Sequence, residues 1–281
     1  VEQALRSPVV VITGGPGTGK TTIIKVILWI LSKQGKRTLL AAPTGRAAKR
    51  MTESTGHEAK TIHRLLEFGL TETGNMSFRR NEEEPLDCDV LIIDEASMLD
   101  VILFHHLLKA VRPGTKLILV GDADQLPPVG AGRVLLDVIE SEAVPVAKLT
   151  EVYRQAATSL IVSNAHRINH GELPLVNDPD GDFFWIDATP DQAAEVIREL
   201  CVERLPGYYE LDPMEDLQVL TPTRRSQIGT ETLNKVLQEA LNPLQPGEAE
   251  FTYGSVTFRV GDKVMQLKND YQKEVFNGDI G

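Results

Sequence analysis

The chain has 281 residues, two cysteines and a formal net charge of −11 at pH 7. That length suits about two domains with cores of their own, and Cys88 and Cys201, far apart and without CxxC spacing, exclude a disulfide framework and a zinc site. The acidic balance argues against a polyanion held by bulk charge, and apolar runs shorter than a membrane span point to a soluble, cytoplasmic protein.

Charge is unevenly distributed, however. Lys33, Lys36, Arg37, Arg46, Lys49, Arg50, Lys60 and Arg64 follow one another with few acids between them, while acids gather at Glu82 to Asp89. A nucleic-acid groove and a solvated helix face both fit the basic tract.

Val9 to Ile12 is a β-branched apolar run that predicts a strand. Gly14-Gly15-Pro16-Gly17-Thr18-Gly19-Lys20-Thr21 follows, and Thr22 to Leu31 predicts a helix. This is G-x-x-x-x-G-K-T between a strand and a helix N-terminus, the context in which it cradles phosphates. Glycines let backbone N–H groups converge on an anion, and the helix dipole adds positive charge. Lys20 then reaches the β- and γ-phosphates, and the Thr21 hydroxyl ligates Mg²⁺. The alternative is a glycine-rich turn before an ordinary helix. The motif implies ATP and Mg²⁺, with residues Gly14 to Thr22 lining the nucleotide.

Thr38 to Ala42 predicts a short buried strand ended by Pro43, and Thr44 begins a helix. His57 to Leu66 predicts a turn and then a helical segment. Phe68 to Arg80 holds Thr73-Gly74-Asn75 between two short stretches, which predicts a β-hairpin inserted over about residues 66–81. Val90 to Ile93 predicts a strand ending in Asp94 and Glu95. Such a strand is expected beside the phosphate loop, with Asp94 holding Mg²⁺ through water and Glu95 polarising the attacking water. Two acids ahead of a helix could instead be a plain N-terminus.

Val101 to Val111 predicts a helix and Lys116 to Val120 a strand. That strand leads into Gly121-Asp122-Ala123-Asp124-Gln125-Leu126-Pro127-Pro128. The Gln125 amide can donate to a γ-phosphate oxygen and accept from water. Strands alternating with helices imply a parallel sheet covered on both faces. Beyond residue 150 the alternation resumes: helix Leu160 to Ile168, strand Phe183 to Ile186, helix Pro190 to Arg204, strand Leu217 to Thr221 and helix Ile228 to Leu241. The stretches Asn169 to Gly181 and Asn242 to Gly247 read as linkers, and the last forty or so residues as a β-rich tail.

G-D-x-x-Q-L-P-P resembles the third motif of superfamily 1 helicases, particularly the RecD-like branch, superfamily 1B, to which the alpha subunit of exodeoxyribonuclease V belongs. Ala42-Pro43-Thr44-Gly45-Arg46 and Thr61-Ile62-His63-Arg64 are similar to motifs that contact single-stranded DNA in that family. Leu149-Thr150-Glu151-Val152-Tyr153-Arg154-Gln155 is similar to its motif at the motor-domain junction. By that likeness Tyr153 stacks on adenine and Arg154 reaches the γ-phosphate. Thr221-Pro222-Thr223-Arg224 is similar to a motif of the second motor domain, with Arg224 on DNA; an exposed loop charge is the alternative.

The resemblance therefore implies an α/β P-loop NTPase with two RecA-like parallel-sheet domains, residues 1–152 and 153–281, the second truncated. It implies an ATP-dependent helicase or translocase on single-stranded DNA, 5′-to-3′, in recombination and repair. Lys20, Asp94, Glu95, Gln125 and Arg154 would be catalytic. Partners are single-stranded DNA and duplex junctions, with other exodeoxyribonuclease V subunits left open, and the hairpin would be a strand-splitting pin. An upstream adenine-reading glutamine and the last two motifs of the family are not found, so the chain reads as a fragment weak in unwinding. A small SH3-like barrel is expected after a segment like Val260 to Gly281. The rivals are an AAA+-like ATPase that remodels or loads proteins, which would lack the Gln125 loop and the Tyr153-Arg154 pair, and a small-molecule kinase, which needs a lid.

Overall fold

The computed structural model describes residues 1–70, 75–151, 159–176, 178, 180–270, 273 and 275–281. It divides into two compact units, Val1–Phe183 with Leu267–Asp279, and Phe184–Gln266 with Ile280–Gly281. The expected domain border at residue 152 falls at the edge of segment 152–158, which lies outside the described residues.

The first unit begins with a short helix α1 (Glu2–Arg6), then β1 (Val9–Gly14), α2 (Lys20–Lys33), β2 (Thr38–Ala42), α3 (Gly45–Thr55), β3 (Ala59–Thr61) and α4 (Ile62–Leu65). The hairpin β4 (Phe68–Leu70) and β5 (Met76–Phe78) follows, then β6 (Val90–Ile93), α5 (Val101–Ala110), β7 (Lys116–Gly121), α6 (Val134–Glu140), β8 (Val146–Leu149) and α7 (Leu160–Asn169). Six strands form one parallel sheet in the order β3-β2-β6-β7-β1-β8.

The central strands are continuous apolar runs because both faces are covered. Along β6, Leu91 and Ile93 face one core with Leu99, Leu103, Leu107 and Leu119. Val90 and Ile92 face the other, with Val10, Ile12, Ile24, Ile27 and Val120. The period of two along each strand thus divides its side chains between two layers of helices.

β6, which ends in Asp94, does not neighbour β1; β7 stands between them. Two interstrand spacings, roughly 9–10 Å, therefore separate the two strands. The apolar runs of β1, β6 and β7 mark strands, but not the order set by crossovers.

The predicted hairpin is present. β4 and β5 pair antiparallel, with Phe68 opposite Phe78 and Leu70 opposite Met76; its centre, residues 71–74, lies outside the described residues. An isolated two-stranded hairpin is marginal, and this one is seated on rings. Phe78 packs on Phe68 (centroids 4.7 Å apart) and on His106 (4.6 Å), and His63 meets both phenylalanines at 5.6 and 5.7 Å.

The second unit holds α8 (Pro190–Glu199), a π turn (Leu200–Arg204), α9 (Leu205–Tyr209), α10 (Thr230–Leu241) and an antiparallel hairpin of β9 (Glu250–Tyr253) and β10 (Val256–Arg259). The expected strands Phe183 to Ile186 and Leu217 to Thr221 do not form, and among the described residues this unit has no parallel sheet. A strand needs a ladder partner for its N–H and C=O groups. Phe184, Trp185 and Ile186 remain about half exposed and Leu220 is 88% exposed, so neither run is packed as a core strand. Both cysteines are free thiols, and no helix among the described residues is long and apolar enough to cross a membrane.

Candidate active site

The phosphate loop is shaped by residues that no bulkier side chain could replace. Gly17 (φ +73°) and Gly19 (φ +84°) lie in the left-handed region, where a Cβ is penalised. A Cβ on Gly14 would sit 2.6 Å from Thr18 Oγ1 and 2.8 Å from Leu149 Cβ. Thr18 is buried and its hydroxyl donates to the Gly15 carbonyl at 2.8 Å. Gly19 begins α2 without a side-chain cap, so the first N–H groups of the helix are not taken by a capping side chain. Lys20 Nζ donates to the carbonyls of Gly14 (2.6 Å) and Gly15 (3.0 Å), crossing back over the loop. Thr21 and Thr22 occupy the exposed first turn of α2, and Pro16 is exposed at the crest of the loop.

Asp94 and Glu95 follow directly on β6. The Asp94 N–H donates to the Ala41 carbonyl at 2.9 Å, which fixes the strand end. Glu95 takes a left-handed backbone (φ +52°), and its N–H donates to Asp94 Oδ1 at 2.9 Å. Burial pushes the Asp94 carboxyl above its usual range, opposed by that N–H and by the charge of Lys20. Burial also raises Glu95, with further upward push from Asp94 and Asp122 and opposition from Lys20 and Arg50. Lys20, Asp94, Glu95, Arg50 and Asp122 thus share one electrostatic neighbourhood at the C-terminal ends of β1, β6 and β7. That is where open α/β sheets bind ligands.

The loop after β7 completes the site. Gly121 is required by close packing, since a Cβ there would lie 2.8 Å from Leu135 Cδ2 and 3.0 Å from the Ser97 nitrogen. Asp122 is buried; its Oδ1 accepts from the Asp124 N–H at 3.1 Å, and its Oδ2 lies 3.4 Å from Gln125 Nε2. The Ala123 N–H donates to Thr13 Oγ1 at 3.1 Å, tying this loop to the end of β1. Gln125 itself is exposed. Thr13, Arg50 and Asp122 escaped the sequence reading. Asp122 had a signal, its place beside Gln125, whereas Arg50 was one more charge on a basic helix.

Among the described residues no three His, Cys, Asp or Glu side chains are grouped to hold a metal. Thr21 and Asp94 offer hard oxygen donors of the few-ligand kind that suits Mg²⁺ when water and phosphate complete its shell.

The residues expected on DNA lie partly elsewhere. Thr44 caps α3, its Oγ1 accepting from the Ala47 N–H at 3.2 Å. Pro43 precedes it, and Gly45 is covered by Phe276, whose Cβ would be 2.8 Å from a Cβ on Gly45. Arg46 Nη1 donates to the Gly278 carbonyl at 3.2 Å. Thr61 is buried, capping α4 through the Arg64 N–H at 3.2 Å. His63 leans on the hairpin seat, and burial lowers its pKa more than Asp100 raises it. Arg224 belongs to the second unit and pairs with Glu231 at 3.1 Å. Tyr153 and Arg154 lie in segment 152–158, outside the described residues.

His166, on α7, was not singled out from sequence. Its ring lies over Gly15: a Cβ there would be 3.2 Å from His166 Cε1.

A family model described as an AAA domain matches residues 1–131. One described as the SH3 domain of ATP-dependent RecD-like DNA helicases matches 233–281. The latter begins earlier than the position after Val260 to Gly281 expected from sequence. Over 281 residues the chain is 43% identical to the ATP-dependent RecD2 DNA helicase of Deinococcus radiodurans, covering all of this chain and 37% of that protein. It is 33% identical over 314 residues to the RecBCD enzyme subunit RecD of Mycolicibacterium smegmatis, covering 99% of this chain and 55% of the relative. A solved structure of two coordinating Pif1 helicases at forked duplex DNA matches with a TM-score of 0.52 at 22% identity, over 97% of this chain and 66% of that one. That likeness concerns the fold. The chain spans about a third to a half of the length of these curated relatives.

Proposed function

The chain belongs to the RecD-like helicase family, and from that premise we propose that it is part of an ATP-driven motor that moves 5′-to-3′ along single-stranded DNA and opens duplex junctions in recombination and repair. One observation carries the reading. Lys20, Asp94, Glu95 and the Asp122–Gln125 loop converge at the ends of three neighbouring strands beside an uncapped helix N-terminus.

ATP lies with its phosphates against the N–H groups of Gly15 to Thr22. Lys20 exchanges the Gly14 and Gly15 carbonyls for β- and γ-phosphate oxygens. The Thr21 hydroxyl and Asp94 would hold Mg²⁺, which would supply neutralisation of phosphate charge. Glu95, whose raised affinity for a proton suits a base, accepts the proton of the attacking water. Gln125 orients that water and senses the γ-phosphate; it lies beside Asp122 in a loop that the Ala123 N–H ties to Thr13 at the end of β1. Arg154 supplies positive charge to the transition state and Tyr153 stacks on adenine. Pro43, Thr44, Gly45, Arg46, Thr61, His63 and Arg64 contact the strand in the first unit, and Arg224 is a DNA contact of the second. The hairpin acts as the pin, and in a complex the motor works beside other exodeoxyribonuclease V subunits.

The test compares the parent chain with Lys20→Ala in a titration with a fluorescent ATP analogue, and then measures phosphate release with oligo-dT or with unfolded protein. The expected result is analogue binding lost by tenfold or more in Lys20→Ala, and turnover stimulated by oligo-dT alone. Stimulation by protein clients alone would transfer the chain to the remodelling ATPases.

A further inference from the structure

His166 is held unusually firmly for a residue that the motor motifs do not name. Its helix α7 is capped by Ser159, whose hydroxyl donates to Asp182 Oδ2 at 2.6 Å, while the Ile161 N–H donates to Asp182 Oδ1 at 3.1 Å. On the same helix, fully buried Asn164 makes two 2.7 Å bonds to Leu175, one from its amide to the carbonyl and one from the Leu175 N–H. Arg167 adds a bond to the Leu173 carbonyl at 2.8 Å and an ion pair with Glu172 at 3.0 Å. These bonds fix the rotation of the helix, and so the direction of residue 166.

That direction is the phosphate loop. A Cβ on Gly15 would lie 3.2 Å from His166 Cε1 and 3.7 Å from Nε2, so only glycine lets the ring approach this closely. Nε2 is shut off from solvent yet makes no hydrogen bond to any described residue. A buried polar atom without a partner calls for an explanation, because leaving its hydrogen bond unmade is costly. Its position supplies one. Lys20 Nζ sits on the carbonyls of Gly14 and Gly15, and the lysine of this motif reaches the β- and γ-phosphates. The Gly14–Gly15 end of the loop is therefore the terminal-phosphate end, and His166 stands over it.

We propose that His166 is a ligand of the nucleotide's terminal phosphate, its Nε2–H donating to a γ-phosphate oxygen. The site thereby distinguishes a nucleoside triphosphate from a diphosphate through a residue outside the six-stranded sheet. The inference rests on the nucleotide-site reading above and adds to it a donor from α7. A hydrogen bond to a charged oxygen corresponds to about tenfold to a hundredfold in affinity. That gain falls on the triphosphate alone.

The experiment is a titration of the 281-residue chain with a non-hydrolysable ATP analogue and with ADP, for the parent, His166→Ala and His166→Gln, with thermal melts to verify folding. His166→Ala should lose about tenfold or more in affinity for the triphosphate analogue, with ADP affinity changed less than about twofold. His166→Gln, which keeps an N–H donor, should recover part of the loss. Equal losses for both nucleotides, or no loss for either, would overturn the proposal while leaving the nucleotide site standing. Failure of the parent chain to bind either nucleotide would overturn the site reading and the proposal together. That outcome is told apart by parent and Lys20→Ala behaving alike.

Discussion

Glu95→Gln separates the chemistry of the site from its electrostatics. The substitution keeps the size of the side chain and its left-handed backbone, and removes one negative charge from beside Asp94 and Asp122. An amide cannot take a proton from water, so single-turnover hydrolysis should fall by about 10²- to 10⁴-fold while ATP affinity changes little. The same change should stabilise the fold. Burial and Asp94 raise the Glu95 carboxyl above the ordinary glutamate value of 4.5. Between that value and the raised one the folded chain binds more protons than the unfolded chain, so stability declines as pH rises through the window. Above it the ionised carboxylate costs its full penalty. Glu95 is partly open to solvent, so a gain of about 0.5–1 kcal/mol on neutralisation is the right scale, or roughly 1–4 °C in a domain of this size. The advantage should be complete above the raised value and vanish below about pH 4.5. Circular-dichroism melts at several pH values, with phosphate release on the same samples, check both halves. A parent-like hydrolysis rate would refute the role of the base. A stability gain that grew on acidification would refute the electrostatic account.

Gly121→Ala drives a Cβ to 2.8 Å from Leu135 Cδ2 beside the Ser97 backbone; it should destabilise by about 1–3 kcal/mol in denaturant titration, and a neutral result would contradict the tight packing of the β7 end. In a longer protein that unwinds duplex, replacing Gly69 to Ser77 by a short Gly-Ser turn should abolish unwinding and spare DNA-stimulated ATPase; losing both would make the hairpin part of the fold or of the DNA grip. His63 has its pKa lowered by burial at the hairpin seat, so the unfolded state binds the extra proton first. The seat should be fully stable above about pH 6.5, the ordinary histidine value, and weaken on acidification; hydrogen exchange of Phe68 to Phe78 reads this, and His63→Phe should remove the dependence.

The parts of the fold that were legible in sequence are those governed by neighbours in the chain. The runs of β1, β6 and β7, the glycines of the phosphate loop, the Thr44 cap and the two paired stretches of the hairpin all express local chemistry. β3 and β8 are short strands at the two edges of the sheet, half-buried for the most part, so they carry no continuous apolar run. The place of β7 between β1 and β6 depends on crossovers that leave no mark on spacing. Phe183 to Ile186 and Leu217 to Thr221 look like strands by composition, but composition does not supply a ladder partner. His166 and Arg50 enter the site through tertiary packing. On their own helices they are one ring and one charge among others.

Phe276 on Gly45 and Gly278 on Arg46 also make the first unit discontinuous, and this bears on how the protein is made. The Arg46–Gly278 bond joins positions 232 apart. A contact of that span contributes little to an early nucleus, because closing so long a loop must wait for the local structure that shortens it. During synthesis the sheet, all of whose strands precede residue 150, can form long before Phe276 has left the ribosome. In that interval the N-terminal end of α3 lies bare. A nascent chain stopped at residue 266 would carry its whole sheet and still lack the ring that covers Gly45, so the cover is added after the sheet.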